Sequence, residues 1–117
     1  MTITSELLGK LGGSDVNQLP VEVAASGGSG SKAVMHTVEV PEGRTWLVIL
    51  IGTLQNASGG STSRAHLYIG DTVHDGSPED GIHGLAHVGT GTIEVGLRRR
   101  YSNRSDTFTG TVYTVQL

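Results

Sequence analysis

Thr37-Val38-Glu39-Val40-Pro41-Glu42-Gly43-Arg44-Thr45-Trp46-Leu47-Val48-Ile49-Leu50-Ile51-Gly52-Thr53-Leu54-Gln55 is the stretch whose reading decides the fold. Residues 37–40 alternate as a strand does. Pro41-Glu42-Gly43 then reads as a tight turn, with Pro41 setting φ at its second position and Gly43 suiting its end. The run that follows is rich in Val, Ile and Thr, which favours strand over helix. A period of two puts Trp46, Val48 and Leu50 on one face and Leu47, Ile49 and Ile51 on the other. Both faces are apolar, although an antiparallel sheet usually keeps one of them wet. The second face therefore needs a cover, from the rest of this chain or from another copy.

Working outward, Val34, His36, Val38 and Val40 alternate against Met35, Thr37 and Glu39 upstream of the turn. Downstream, Gln55 to Thr62 is a polar loop. Arg64 to Gly70 alternates again, with Ala65, Leu67 and Ile69 opposed to His66 and Tyr68. An acidic loop over residues 71–82 allows at most a short strand at Thr72–His74. His83 to Val88 is a weak strand, and Gly89-Thr90-Gly91 turns into a better one carrying Ile93, Val95 and Leu97. The last strand runs from Thr107 to Leu117; its apolar residues change parity between Phe108/Val112 and Tyr113/Val115, which suggests a bulge at Gly110. Seven or eight short antiparallel strands without an internal helix predict an all-β domain over residues 33–117, a single sandwich or jelly roll.

Residues 1–32 read as an N-terminal arm. Ser5 and Glu6 can start a short helix that Gly12-Gly13 ends, and Leu7, Leu8 and Leu11 would share one of its faces. A helix of two turns does not stand alone in water, so those leucines are expected to dock on a neighbouring subunit. Residues 13–32 are a Gly/Ser-rich tether, with a short extended pattern at Leu19–Val23 that suits an edge strand led by Pro20.

Composition narrows the class of role. The formal net charge of −3 argues against a general nucleic-acid footprint. Charge is uneven, however: residues 91–117 hold four basic and two acidic side chains, and residues 1–90 hold four and nine. With no cysteine, disulfides and thiolate metal sites are excluded. The N-terminus lacks the basic and long apolar segments of a signal peptide, and the six-residue apolar run Trp46–Ile51 is too short to span a membrane. No membrane partner is expected.

The residues that could carry chemistry do not form a catalytic pattern. There is no Gly-x-Ser-x-Gly elbow, P-loop or dinucleotide fingerprint, so no enzyme, catalytic residue or cofactor is expected. Five histidines (His36, His66, His74, His83, His87) raise the question of a metal. On a strand, His83 and His87 would share a face but lie about 13 Å apart, too far for one ion. His74 with Asp75 and Asp80 is a better placed set, and Asp71, Asp75, Glu79 and Asp80 offer oxygens to calcium without matching an EF-hand. Ordinary polar surface explains both sets more simply, and no metal site is expected. Arg98-Arg99-Arg100 with Arg104 is the sharpest charge feature. Parity turns Arg98 and Arg100 to solvent, where they could clamp carboxylates of a neighbouring subunit; without interleaved aromatics, specific nucleic-acid binding is not expected.

Val38 to Ile49 with its Pro41-Glu42-Gly43-Arg44-Thr45 turn, then Gln55-Asn56-Ala57-Ser58-Gly59-Gly60, then Ala65-His66-Leu67-Tyr68-Ile69, resembles small β-sandwich structural proteins of tailed bacteriophage virions. The resemblance covers residues 34–70. It implies a non-enzymatic virion protein made in the bacterial host cytoplasm, of the head decoration, collar or tail accessory type. The implied partners are further copies of the chain, with a trimer as first expectation, and other virion proteins such as the major capsid protein. A jelly-roll module that recognises carbohydrate, as on a tail fibre, is the competing expectation, and it needs exposed aromatic rings.

Overall fold

The computed structural model describes residues 16–25, 32–56, 65–74, 81–99 and 106–117. Over these the chain forms β1 (Val16–Ala25), β2 (Lys32–Glu39), β3 (Trp46–Asn56), β4 (Ala65–Ile69), β5 (Thr72–Val73), β6 (Gly81–Gly89), β7 (Thr92–Arg99) and β8 (Asp106–Gln116). There is no helix among the described residues. The strands lie in two four-stranded sheets, β1-β8-β3-β6 and β2-β7-β4-β5, and every neighbouring pair is antiparallel. The helix expected near residues 5–12, with Leu7, Leu8 and Leu11, lies outside the described residues, as does Arg100.

Strand alternation builds the core. Val48, Leu50 and Leu54 of β3 are fully buried, and Val21, Phe108 and Val112 join them from the same sheet. Val38, Leu67, Ile69, Ile93, Val95 and Leu97 of the second sheet complete one continuous cluster. The decisive stretch crosses from one sheet to the other: β2 belongs to the second and β3 to the first. Arg44 N–H donates to the Pro41 carbonyl at 3.0 Å. Gly43, with φ of 78°, takes the third position of that turn, where only glycine adopts a positive φ without strain. Pro41 thus occupies the first position rather than the expected second.

Three further expectations differ. Residues 16–25 are no tether: β1 pairs with β8 over all ten of its residues, and Val21 enters the core. The extended pattern at Leu19–Val23 is the centre of a longer edge strand. In β2 the register shifts between Val34 and His36, so parity changes there. Val34 is exposed while Met35 packs against the core, and His36, Val38 and Val40 keep the inward parity their pattern suggested, His36 opposite Val95. At Gly110 there is no bulge, because β8 holds one register with β3 from Asp106 to Gln116. Gly110 lies opposite Gly52, and a Cβ on it would meet the Ile51 carbonyl at 2.3 Å and the Phe108 ring at 2.8 Å. The glycine pair makes room for Phe108, and both faces of β8 are apolar without any change of phase.

Candidate functional site

The outward face of the first sheet is the most unusual surface of the molecule. Register places Val16, Val115, Leu47 and Val88 in one row across its four strands. The next row is Gln18, Tyr113, Ile49 and Ala86, and the one after it Pro20, Thr111, Ile51 and Gly84. Glu22, Thr109, Thr53 and Ile82 follow. Along β8, β3 and β6 this face carries no charged side chain; Glu22 on β1 is the sole exception among these rows. On this face Val115 is fully buried and Leu47, Ile49 and Tyr113 are half-buried, whereas Ile51, Val88 and Ile82 are 45, 55 and 79% exposed. Directly opposed aromatic and β-branched residues such as Tyr113 and Ile49 stabilise a sheet by about 0.2–1 kcal/mol per pair, which keeps the face regular.

The outward face of the second sheet is built differently. Lys32, Arg98 and His66 share a row across β2, β7 and β4, so the strand register adds two residues to the basic feature read from the sequence. Arg98 is exposed, as its parity implied. Beside that row Tyr68 lies over Gly96, at 3% exposure; a Cβ there would stand 2.6 Å from its hydroxyl oxygen. The Tyr68 hydroxyl donates to Glu94 Oε2 at 2.7 Å. Burial first, and then the Glu94 carboxylate by hydrogen bond and charge, push the phenol well above its ordinary value, so it remains a donor. Lys32 Nζ sits 5.3 Å from the Tyr68 ring centroid and 3.8 Å from Glu94 Oε2. These contacts tie three strands together, and Tyr68 shares its row with the exposed Val34 and Val73.

Two hollows lie at the margins. A groove of about 280 Å³ opens between the sheets on the β1/β2 side, floored by Val38, Val112 and Leu19 and walled by Trp46, Asn17 and His36. Trp46 is half-buried and packs on the core edge from there. A larger open hollow of about 650 Å³ lies between the Pro41–Thr45 turn and residues 90–92, where the Thr92 hydroxyl already donates to Glu39 at 2.9 Å.

His66, His74, His83 and His87 gather about β5 rather than forming a ligand set, and His36 lies apart in the Trp46 groove. His66 Nδ1–H donates to the His74 carbonyl at 3.0 Å. The His74 and His83 rings meet edge-on at 5.0 Å, and His87 Nδ1 lies 2.8 Å from the Thr72 hydroxyl and 3.8 Å from Asp71 Oδ1. Among the described residues no three His, Asp or Glu side chains converge as metal ligands do. Asp75, Glu79 and Asp80 lie outside those residues, with Leu7, Leu8, Leu11 and Arg100. Sequence reading missed Tyr113, Val88 and Ile82 as neighbours of the β3 face, because only strand order brings them beside Ile49, Leu47 and Thr53. Comparison with protein-family models, with curated protein sequences and with solved structures finds no match to this chain.

Proposed function

We propose that this chain is a non-enzymatic structural protein of a tailed-phage virion, a head decoration or neck and tail accessory protein that assembles with copies of itself. The phage assignment rests on the sequence resemblance over residues 34–70. The observation that carries self-assembly is the uncharged outward face of β8, β3 and β6, where Ile51, Val88 and Ile82 remain exposed. Contiguous apolar surface of that kind marks interaction sites, since each buried Å² contributes roughly 25 cal/mol. The strand order β1-β8-β3-β6 over β2-β7-β4-β5 supports reading the domain as a jelly roll, an architecture found in viral capsids and in lectins alike. The arm ahead of Val16, with Leu7, Leu8 and Leu11, would contact neighbouring subunits such as the major capsid protein, and Arg98 and Arg100 would meet their carboxylates. Sedimentation at tens of micromolar should give an oligomer, and the protein should co-sediment with particles that lack it. A monomer that attaches to no particle would end this reading.

The Trp46 groove favours carbohydrate recognition as a second reading, because an aromatic ring beside amide and imidazole groups suits a sugar. Trp46 is the single tryptophan, so its fluorescence reports on that groove alone. Titration with a panel of glycans should shift its emission, and an unchanged spectrum throughout removes the reading.

A further inference from the structure

A two-sheet molecule has four sheet edges, and each presents a row of backbone groups able to pair with another chain unless something blocks it. In this protein three edges carry a block. β1 has Pro20 at its centre, which removes a donor, and an exposed Glu22 two residues on. β2 is broken by the register shift at Val34/His36 and ends in the exposed charges Lys32 and Glu39. β5 is only two residues long. The fourth edge, β6, has none of these devices: Gly-Ile-His-Gly-Leu-Ala-His-Val-Gly runs for nine residues without Lys, Arg, Asp, Glu or Pro. Among the described residues β6 pairs with β3 alone, on one side.

We infer that β6 pairs antiparallel with β6 of a second copy, joining two four-stranded sheets into one of eight. This deepens the self-assembly reading above and rests on it. The inward side chains hold the strand in place before any partner arrives: Leu85 packs against the core, and His87 reaches Thr72. The outward ones, Ile82, Gly84, Ala86 and Val88, are all exposed and all neutral. A twofold pairing centred on Leu85 sets Ile82 opposite Val88 of the second copy and Gly84 opposite its Ala86. No like charges meet, which matters for a chain of net charge −3. Such a contact is isologous and closes on itself, and it makes the two uncharged outward faces continuous. Alternate residues of each strand then exchange both backbone hydrogen bonds across the new junction.

Hydrogen exchange on the full chain, followed by mass spectrometry at rising protein concentration beside sedimentation, separates edge pairing from face stacking. Edge pairing protects amides of residues 81–89 in step with association, whereas stacking of outward faces leaves exchange along that edge unchanged. Gly84→Lys fits the single copy, because a Cβ there meets only Ile51 Cγ1 at 3.6 Å and the Leu50 carbonyl at 3.7 Å. It should weaken association by about tenfold or more and restore fast exchange without moving Tm, as should Ala86→Lys on an exposed position. Association with unchanged exchange over 81–89 overturns the inference and leaves self-assembly standing. A wild-type chain that stays monomeric overturns both.

Discussion

On the first sheet the residues between the core positions of β3 are Leu47, Ile49 and Ile51, flanked by Tyr113 on one side and Val88 and Ala86 on the other. On the second sheet the matching outward residues of β7 are Thr92, Glu94, Gly96 and Arg98, flanked by Lys32 and Tyr68. Both sheets share one core and differ only in what they turn away from it. A charged outer face with a hydrogen-bonded tyrosine is complete in water. A neutral aliphatic one lowers its free energy when something covers it. The difference is one of charge: the second sheet sets Lys32, Glu94 and Arg98 around its exposed Val34 and Val73, and the first sets no charge beside Ile51, Val88 and Ile82.

Removing residues 1–31 should have the largest effect, because it takes away β1, strips Val21 from the core and leaves β8 an open edge. No cooperative melting is expected, whereas removal of residues 1–15 keeps β1 and should keep a single transition in calorimetry. If the shorter domain melts normally without β1, the first sheet does not need its fourth strand. Phe108→Ala attacks what the sheets share and should cost about 3–5 kcal/mol by chemical denaturation. A loss below about 1 kcal/mol, well short of that range, would mean that the Gly52/Gly110 gap closes around the missing ring.

Ile51→Lys tests the contrast itself. Its position is 45% exposed, so the single copy should melt nearly as before, while association through the outward face falls by about tenfold or more. Equal association would clear the outward face of a contact role and leave pairing through the β6 edge standing. Tyr68→Phe sharpens the other side, removing a hydroxyl bonded to a carboxylate at a cost of about 1–2 kcal/mol. Its pH signature follows from the raised phenol. In the unfolded chain the group loses its proton near the ordinary value of 10.0, but in the folded protein only above it. The stabilisation is therefore full below about pH 10 and is lost as pH rises beyond it; wild type should lose stability there faster than Tyr68→Phe. Val34→Lys is the smallest change: an exposed outward position on the second sheet, where stability should move by under about 0.5 kcal/mol and association not at all. A loss of assembly with this variant would reverse the assignment of the two faces.

Much of this was legible in the chain alone, for a local reason. Side chains on a strand alternate with a period of two, so the doubly apolar character of Trp46 to Leu54 shows before any fold is known, as do the turn at Gly43 and the outward position of Arg98. What pairs with what is not local. The length of β1 was hidden because Asn17, Gln18, Ala24 and Ala25 have little strand preference of their own, and pairing with β8 extends it. The shift at Val34/His36 follows from pairing with β7, and the role of Gly110 from Gly52 and Phe108 across the sheet. Likewise Lys32 and Arg98, far apart in the chain, become neighbours only through register. The sequence by itself determined which residues seek burial; strand order alone decided that Ile49 lies beside Tyr113, that Tyr68 reaches Glu94, and that β6 is left at an edge, because hydrogen-bonded pairing joins positions that no short-range pattern connects.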